Sequence, residues 1–362
     1  MEFSINKIMF SEALSFISSI VPERSARPVL QNLLLESDGE AGITLSATDL
    51  EISLRIHLEV SDLKDPISVL LPASRLNAIV KGIGGDDLKL EIEDLKLIVK
   101  TKFGRFQLPG ADVIDYPAIS DFKSEGAIFI HGDDFNDAVQ KNIFATAKGD
   151  TRYALNGIFL NIKDNICDFV ASDTHRLSLV KKKIRNPDAS VSEGIILTKG
   201  MNILSRLAIG KDVIEINITP NELLARTPTA TLAVRRVEGM FPRYQDVIPP
   251  KSDSRFVVNR DELIKNLHSI GLVASEETRA ILFGVSPGTL SLSAKSENGE
   301  GIVILDAEVR GDECEIKFNY QFVIDALKAI DDETVEMQYN GAENPARIDN
   351  GDFLYVIMPI NR

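Results

Sequence analysis

The chain has 362 residues, of which 44% are hydrophobic, and a formal net charge of −14. This length suits two or three domains, the apolar content excludes a disordered chain, and the acidic balance argues against a surface that is basic throughout. Two cysteines, Cys167 and Cys314, are too few for a disulfide framework and indicate a reducing compartment. The sequence shows no secretory signal and no apolar run near the roughly 20 residues of a membrane-spanning helix, so we expect a soluble, cytoplasmic protein.

Three amphipathic helices are predicted at intervals of roughly 125 residues, a spacing that matches one domain apiece. In the first and last, apolar residues recur at spacings of 4, 3 and 4, which places them on one helical face. The middle stripe is weaker and follows Asp133 and Asp134, which suit a helix N-terminus. Asn259 and Glu262 are spaced as a capping pair for the last helix. The stripes are Phe10, Leu14, Ile17 and Val21; Phe135, Val139, Ile143 and Ala147; and Leu263, Leu267, Ile270 and Ala274.

A second helix follows a short apolar strand in each repeat. The strands are residues 67–71, 195–197 and 316–318, and each leads into a residue type that starts helices, namely Pro72, Thr198 or Asn319. The sequence therefore predicts six helices, at residues 6–19, 72–82, 133–148, 198–211, 260–273 and 321–330.

Between the helices the apolar residues alternate with a period of two, which is typical of half-buried strands. Residues 50–58 alternate in this way, and residues 88–97 predict a hairpin around Glu93-Asp94. Turn signals stand at similar points of the three repeats, at Asp38-Gly39, Asp164-Asn165 and Pro287-Gly288. The sequence thus predicts an α+β protein of three tandem pseudo-repeat domains, at residues 1–122, 127–249 and 253–362, joined by the short polar segments 120–126 and 249–254.

Charge is distributed unevenly between the predicted helices and the rest of the chain. The helices carry a small positive excess, and the remaining segments hold the acidic excess. A surface lined by helices would be mildly basic, which suits a protein that surrounds a polyanion without holding it tightly, because each phosphate contact strengthens binding and its salt dependence. The general preference of helices for Lys and Arg explains the same distribution equally well.

Short motifs across the whole chain carry a specific resemblance. Asn32-Leu33-Leu34-Leu35 and Ala47-Thr48-Asp49-Leu50-Glu51 come first, then Arg152-Tyr153-Ala154-Leu155-Asn156-Gly157 and Ala171-Ser172-Asp173-Thr174-His175-Arg176-Leu177. Phe241-Pro242-Arg243-Tyr244 with Val247-Ile248-Pro249 follows, and Tyr355-Val356-Ile357-Met358-Pro359-Ile360 is the last. In this order and spacing they resemble the bacterial β sliding clamp family (DNA polymerase III β subunit).

The resemblance implies a head-to-tail homodimeric ring of six repeats, with helices lining the hole and sheets outside. It implies a processivity factor that encircles double-stranded DNA, has no catalytic activity of its own and needs no cofactor or metal. The implied partners are the DNA polymerase III catalytic subunit, the clamp-loader complex, and other polymerases and repair proteins that carry short clamp-binding peptides. No membrane is implied.

By the same resemblance, a hydrophobic pocket binds the partner peptides, with Met358 as an adaptable wall and His175 and Arg176 at the rim for orientation. Thr174 stands where many relatives have Gly, and Asp246 where some have Arg, so the peptide preference is left open. The implied pocket residues are Leu155, Ser172, Thr174, His175, Arg176, Leu177, Pro242, Val247, Phe322, Pro345, Val356, Met358, Pro359 and Ile360.

The resemblance also implies two further surfaces. Basic groups and one aromatic suit contact with DNA phosphates and bases; the set is Arg24, Arg27, Arg75, Lys81, Lys148, Arg152, Tyr153, Lys199 and Arg206. The dimer seam would join apolar pairs from the first and third domains, Phe106 and Leu108 with Leu272 and Val273, flanked by Lys102 and Arg105 opposite Glu297 and Glu300. The alternative is that these apolar residues belong to the cores of their own domains.

Two other classes of protein remain as alternatives. Asp173 and His175 lie two apart, as in a hydrolase or metal site, but no third ligand, phosphate-binding loop or nucleophile motif accompanies them. A monomeric repeat protein that only binds peptides would share the pocket but lack the seam and the basic lining.

Overall fold

The computed structural model describes residues 2–39, 42–101, 104–149, 153–187, 191–297 and 299–360. Within these residues, no helix is long and apolar enough to cross a membrane. The described part of the chain contains six α-helices: α1 (Lys7–Ile20), α2 (Ala73–Gly82), α3 (Gly132–Ile143), α4 (Thr198–Ala208), α5 (Arg260–Gly271) and α6 (Tyr320–Lys328).

The strands follow the helices in a threefold repeated order. Each repeat runs strand, helix, three strands, strand, helix, three strands, with one additional short strand, β21, in the third. The predicted α+β repeat is therefore confirmed. The strands are β1 (Glu2–Asn6), β2 (Asn32–Ser37), β3 (Gly42–Thr48), β4 (Ile52–Glu59), β5 (Ile67–Pro72), β6 (Asp87–Glu93), β7 (Lys96–Thr101), β8 (Gly104–Pro109), β9 (Ile128–Ile130), β10 (Gly157–Lys163), β11 (Ile166–Ser172), β12 (Arg176–Lys183), β13 (Ser192–Leu197), β14 (Ile214–Ile218), β15 (Glu222–Arg226), β16 (Ala230–Arg235), β17 (Arg255–Asn259), β18 (Ala280–Ser286), β19 (Thr289–Ser296), β20 (Gly299–Asp306), β21 (Glu308–Arg310), β22 (Cys314–Asn319), β23 (Thr334–Gln338), β24 (Ala346–Asn350) and β25 (Phe353–Ile357).

Side-chain caps fix the starts of three helices. The Asn259 side chain accepts a hydrogen bond from the Glu262 amide at 3.0 Å, which confirms that Asn259 begins α5. Asn6 and Asn319 cap α1 and α6 in the same way. The ends of α3 and α4 were predicted too late, because Lys148 follows α3 and Lys211 follows α4. The positive excess of the helices is accordingly smaller than the sequence predicted.

Three hairpin turns confirm the predicted turn signals. Asp38-Gly39 lies between β2 and β3, Asp164-Asn165 between β10 and β11, and Pro287-Gly288 between β18 and β19. Two alternating residues were wrongly placed in strands. Leu50 and Leu95 have φ angles of 77° and 61° and lie in turns, because the chain reverses direction there before β4 and β7 begin.

The first compact unit comprises Met1–Asp133, Arg185–Asp188 and Ile203–Arg236. It contains a four-stranded sheet, in the order β1-β6-β7-β8, and an eight-stranded sheet, in the order β5-β2-β3-β4-β16-β15-β14-β9. The apolar stripe of α1, with Phe10, Leu14 and Ile17, is fully buried. At the middle of the large sheet, β4 and β16 pair antiparallel with Leu54 opposite Leu232.

The second compact unit comprises Asp134–Ile184, Ala189–Asn202 and Val237–Arg362. Its nine-stranded sheet runs β13-β10-β11-β12-β25-β24-β23-β17-β21, and its four-stranded sheet runs β20-β19-β18-β22. At the middle of the large sheet, β12 and β25 pair antiparallel with Leu177 opposite Val356. Each large sheet is thus two repeated halves joined through their edge strands.

Candidate functional site

A cavity of about 260 Å³ lies in the second compact unit, where residues 237–248 cross the sheet face formed by β10, β11, β12 and β25. Its lining is mainly aliphatic and aromatic, which suits an apolar side chain of a bound peptide. Nine of the fourteen expected pocket residues line it, namely Leu155, Ser172, Thr174, Arg176, Leu177, Pro242, Val247, Val356 and Met358.

Phe241 and Tyr244 also line the cavity and are not among the residues expected there. The Phe241 ring stacks on Phe159 with centroids 4.9 Å apart, and the Tyr244 hydroxyl donates to Asp168 Oδ2 at 2.7 Å. Burial and the Asp168 carboxylate raise the pKa of Tyr244 to about 12. These contacts hold the crossing segment against the sheet. The available signal was the aromatic content of the Phe241–Tyr244 motif, of which only Pro242 is among the expected pocket residues.

Five expected pocket residues do not line this cavity. His175 is exposed and stacks on Phe322 with ring centroids 6.4 Å apart, and its carbonyl accepts from the Met358 amide at 2.8 Å. Pro345 precedes β24 and is half-buried. Pro359 is buried, and the Ile360 amide donates to the Lys317 carbonyl at 2.8 Å, which leads the chain from the cavity toward β22.

Arg176 lines the cavity but does not present a free charge at its rim. Its Nε lies 3.0 Å from Asp173 Oδ2, its Nη1 lies 2.7 Å from Asp325 Oδ2, and its Nη2 donates to the Phe144 carbonyl. Burial lowers the pKa of Arg176, but Tyr355 and the two carboxylates outweigh that effect and raise it. The side chain is 8% exposed, so the expectation of a rim cation that orients peptides was wrong.

The turn between β11 and β12 explains the Asp173 and His175 pair without catalysis. Asp173 Oδ1 accepts from the amides of His175 and Arg176 at 3.0 and 3.1 Å, and Asp49 Oδ1 makes the same contacts with Glu51 and Ile52 in the first repeat. The carboxylate therefore shapes a repeated turn. In the described ranges, no cluster of three or more His, Cys, Asp or Glu side chains has a geometry that would hold a metal ion.

The expected seam residues lie on the edge strand β8 of the first compact unit and, in the second, just after α5, just after β19 and on the edge strand β20. Phe106 on β8 is 43% exposed and Leu272 after α5 is 80% exposed, whereas Leu108 is buried within its own sheet. Val273 is half-buried. Arg105, Glu297 and Glu300 are exposed, with Lys295 Nζ 2.9 Å from Glu300 Oε2. Lys102 lies outside the described residues.

The expected DNA-contact residues are mostly exposed. Arg24, Arg27, Arg75, Lys81 and Arg206 are exposed in the first compact unit, and Lys148 and Lys199 in the second. The Arg206 guanidinium lies 4.9 Å from the centroid of the Phe16 ring. The Tyr153 backbone begins a short 3-10 helix, Tyr153–Leu155, while its side chain and Arg152 lie outside the description.

Comparison with known proteins assigns the chain to one family along nearly its full length. Residues 1–120, 129–243 and 245–361 match the N-terminal, central and C-terminal domains of the DNA polymerase III beta subunit. The beta sliding clamp of Pseudomonas aeruginosa is 29% identical over 99% of this chain and 100% of that protein, and the Escherichia coli one is 27% identical with the same coverage.

Solved structures agree with this assignment. The crystal structure of the sliding clamp of Pseudomonas aeruginosa bound to griselimycin has a TM-score of 0.95 at 28% identity, with 100% of both chains covered. The clamp of Bacillus subtilis, at 23% identity, has a TM-score of 0.92 and supports the fold alone. The chain therefore belongs to the DNA polymerase III beta subunit family, the bacterial β sliding clamps.

Proposed function

We propose that two copies of this chain form a ring around duplex DNA and tether the replicative polymerase to it through the cavity of the second compact unit. The observation that carries the proposal is the match of three consecutive clamp domains together with the clamp fold. The chain acts as a DNA sliding clamp in replication and not as an enzyme. We place it in the cytoplasm with the DNA, and the three repeats then correspond to domains at residues 1–122, 127–249 and 253–362.

The strand pairing supports a head-to-tail dimer. The third strand of one half-sheet meets the last strand of another at β4–β16 and again at β12–β25. In the described residues, β20 and β8 occupy the equivalent places and have no neighbour on their outer edges. An unpaired strand edge favours pairing with another chain. Pairing β20 of one copy with β8 of the next would repeat the junction twice and close a ring.

The two existing junctions also predict the register of the seam. At the two junctions, Arg55 pairs with Thr231 and Leu179 pairs with Leu354. The residue of β20 equivalent to Arg55 and Leu179 is Ile302, and the residue of β8 equivalent to Thr231 and Leu354 is Arg105. Ile302 would therefore pair with Arg105 of the next copy. Phe106 then lies opposite Gly301. A Cβ atom at Gly301 would approach the side chains of Ile270 and Val273 to 3.3 Å, so the glycine leaves space beside Val273. We expect the Phe106 ring of the neighbouring copy to pack over Gly301 beside Val273 and Leu272.

A ring with its helices inward would bring the exposed cations of α2 and α4 toward DNA. Arg75, Lys81, Lys199 and Arg206 supply few phosphate contacts, which favours sliding over tight binding. Arg24, Arg27, Lys148, Arg152 and Tyr153 would add contacts at a primer–template junction. A loader ATPase opens one seam and places the ring on DNA. The ring then raises the local concentration of any polymerase whose peptide fills the cavity.

Retention on DNA tests the topological mechanism. The protein loaded on nicked circular DNA is expected to remain through gel filtration and to leave when the circle is cut. Equal loss from circular and linear DNA would contradict the ring.

The seam is tested by truncating its apolar side chains. Leu272→Ala with Val273→Ala is expected to yield monomers, since truncating a buried aliphatic costs about 2–5 kcal/mol each. Ile166→Ala, at an exposed isoleucine of β11, is the matched control. A dimer of the double variant that persists at nanomolar concentration in sedimentation would refute the seam.

The cavity is tested by removing residues 358–362. The truncated chain is expected to lose binding to the polymerase's clamp-binding peptide while the dimer stays intact. Peptide binding at the original affinity would place the peptide elsewhere.

A further inference from the structure

Three equivalent rows of residues cross the outer faces of the repeated half-sheets. Strand pairing gives Leu70, Leu34, Ser46 and Arg55 as the first row and Ile195, Phe159, Val170 and Leu179 as the second. The third row is Lys317, Leu282, Ser293 and Ile302. Each row begins two residues before the end of the strand that leads into α2, α4 or α6, so the three rows are directly comparable.

The segment after the first repeat covers the first row. The Ala111 and Leu70 backbones exchange two hydrogen bonds of 3.0 Å, and the Tyr116 hydroxyl donates to the Ser46 carbonyl at 3.4 Å. Burial raises the pKa of Tyr116. Arg55, at the end of the row, donates to the Ile119 carbonyl at 2.7 Å. A segment with one aromatic ring, which turns at Val113–Tyr116, therefore crosses the whole face.

The segment after the second repeat covers the second row in the same way. The Val237 amide donates to the Ile195 carbonyl at 2.8 Å, which matches the contact of Ala111 with Leu70. Phe241 then stacks on Phe159, and Tyr244 packs in the same apolar cluster as Val170 and Leu179. Again the cover is aromatic, although its Tyr244 lies in the short 3-10 helix Tyr244–Val247.

The chain makes the first contact of the same kind at the third row, but no segment covers the rest of that row in the described residues. The Ile360 amide donates to the Lys317 carbonyl at 2.8 Å, the third equivalent contact. Within residues 2–360, apart from the undescribed gaps, nothing packs over the rest of this face. Ile302 and Ile304 on β20 are 66% and 65% exposed, although the second-repeat residue equivalent to Ile302, Leu179, is 3% exposed. A groove of about 720 Å³ runs over Leu282 and Ser293 beside Ile302.

We propose that the outer face of β20-β19-β18-β22 docks an aromatic-bearing segment of the same partner polypeptide whose short peptide fills the cavity. The chemistry of the occupant follows from the two homologous faces, each of which is covered by a segment that lays an aromatic side chain on it. Lys295 and Lys317 border the groove, with Lys295 paired to Glu300, so a carboxylate beside the aromatic residue would meet Lys317.

Continuity with the cavity favours this occupant over a second clamp. Met358 lines the cavity, and Ile360, two residues later, bonds to the first residue of the third row. A partner chain leaving the cavity could therefore follow residues 358–360 to the open face. Seam formation would add a strand beside β20, with Arg105 of the next copy opposite Ile302, and would leave the face over Leu282 and Ser293 without a covering segment. This inference rests on the proposed peptide-binding function.

The test compares the full polymerase subunit with its isolated clamp-binding peptide, using the intact dimer. Ile302→Ser with Ile304→Ser is expected to weaken polymerase binding about tenfold and leave peptide binding unchanged. Ser293→Trp, which fills the groove away from the seam strand, should do the same if the double variant alters the dimer. Ile166→Ser removes another exposed isoleucine, from β11, and should change neither affinity.

Unchanged polymerase affinity in both groove variants would overturn the proposal. Failure of the wild-type dimer to bind the isolated peptide would instead refute the proposed function. Photo-crosslinking from position 302 gives the direct readout. Crosslinks to a polymerase segment next to its clamp-binding peptide support the docking face, and crosslinks to a second clamp or to the chain's own last residues contradict it.

Discussion

The two sheet junctions within this chain use equivalent strands but different chemistry. In the first compact unit, β4 carries Ile52 and Leu58 at buried positions beside β16. In the second, the equivalent positions of β12 carry Arg176 and Lys182, which are just as buried. One junction is therefore closed by apolar packing and the other by buried charges.

The charges of the second junction are fully paired. Lys182 Nζ lies 2.6 Å from both Asp137 Oδ2 and Asp352 Oδ2, and Arg176 contacts Asp173 and Asp325. The same fold tolerates both kinds of junction, but mutations affect them differently. An apolar junction loses stability in proportion to the side-chain volume removed, whereas removing one member of a buried ion pair leaves the other charge buried without its partner. The junction that borders the cavity is the one with buried ion pairs.

The largest effect is expected from Arg176→Ala. It leaves the Asp173 and Asp325 carboxylates without their partner and should lower the free energy of unfolding by about 3–5 kcal/mol. Ile52→Val, at the equivalent apolar position, should cost about 1 kcal/mol. Urea unfolding of both variants measures the difference, and equal losses would remove the contrast between the junctions.

Lys182→Met should cost about 1–3 kcal/mol and flatten the acid limb of the stability profile. Burial raises the pKa of Asp137, but hydrogen bonds from Lys141 and Lys182 outweigh it and hold the pKa below 3.8. The stabilisation is therefore present above that ordinary value and is lost as the pH falls through the lower, folded-state pKa. Leu58→Met is the control, and an unchanged acid limb in Lys182→Met would contradict the prediction.

Tyr244→Phe should cost about 1–2 kcal/mol, because Asp168 loses a hydrogen bond but keeps Lys181 as a partner at 3.4 Å. Loosening of the crossing segment should also weaken binding of the clamp-binding peptide in a titration. The control is Tyr116→Phe, whose hydroxyl bond to a backbone carbonyl is a long 3.4 Å. A larger loss from the control would show that the first crossing segment depends more on its hydroxyl.

The smallest effects are expected where the two junctions are alike. Thr174 and Leu50 occupy equivalent turn positions with φ angles of 79° and 77°, where glycine is unstrained. Thr174→Gly and Leu50→Gly should each raise the free energy of unfolding by about 1 kcal/mol in thermal unfolding. If one substitution raised the free energy of unfolding and the other lowered it, a side-chain contact, and not backbone strain, would dominate the stability of one of the turns.

Much of the fold was predictable because its signals are local. The helices, the Asn259 cap and the three turn signals depend on residues a few positions apart and were confirmed, although the last residue of each stripe (Val21, Ala147 and Ala274) follows its helix. The ends of α3 and α4 were placed too late; in α3 the apolar spacing continues to Ala147 after the backbone has left the helix. The domain limits and the roles of the seam and DNA-contact residues stay predictions.

The sequence by itself determined the threefold repeat, the family and most of the cavity lining, because aliphatic periodicity and contiguous motifs are visible in the order of the residues alone. Only the tertiary structure decided that Arg176 is a buried structural cation, since its partner Asp325 is 149 residues away. It alone placed Phe241 and Tyr244 over the second sheet and left Ile302 and Ile304 bare on the third. Which residues cover a face depends on where distant segments cross it, and no local pattern records that.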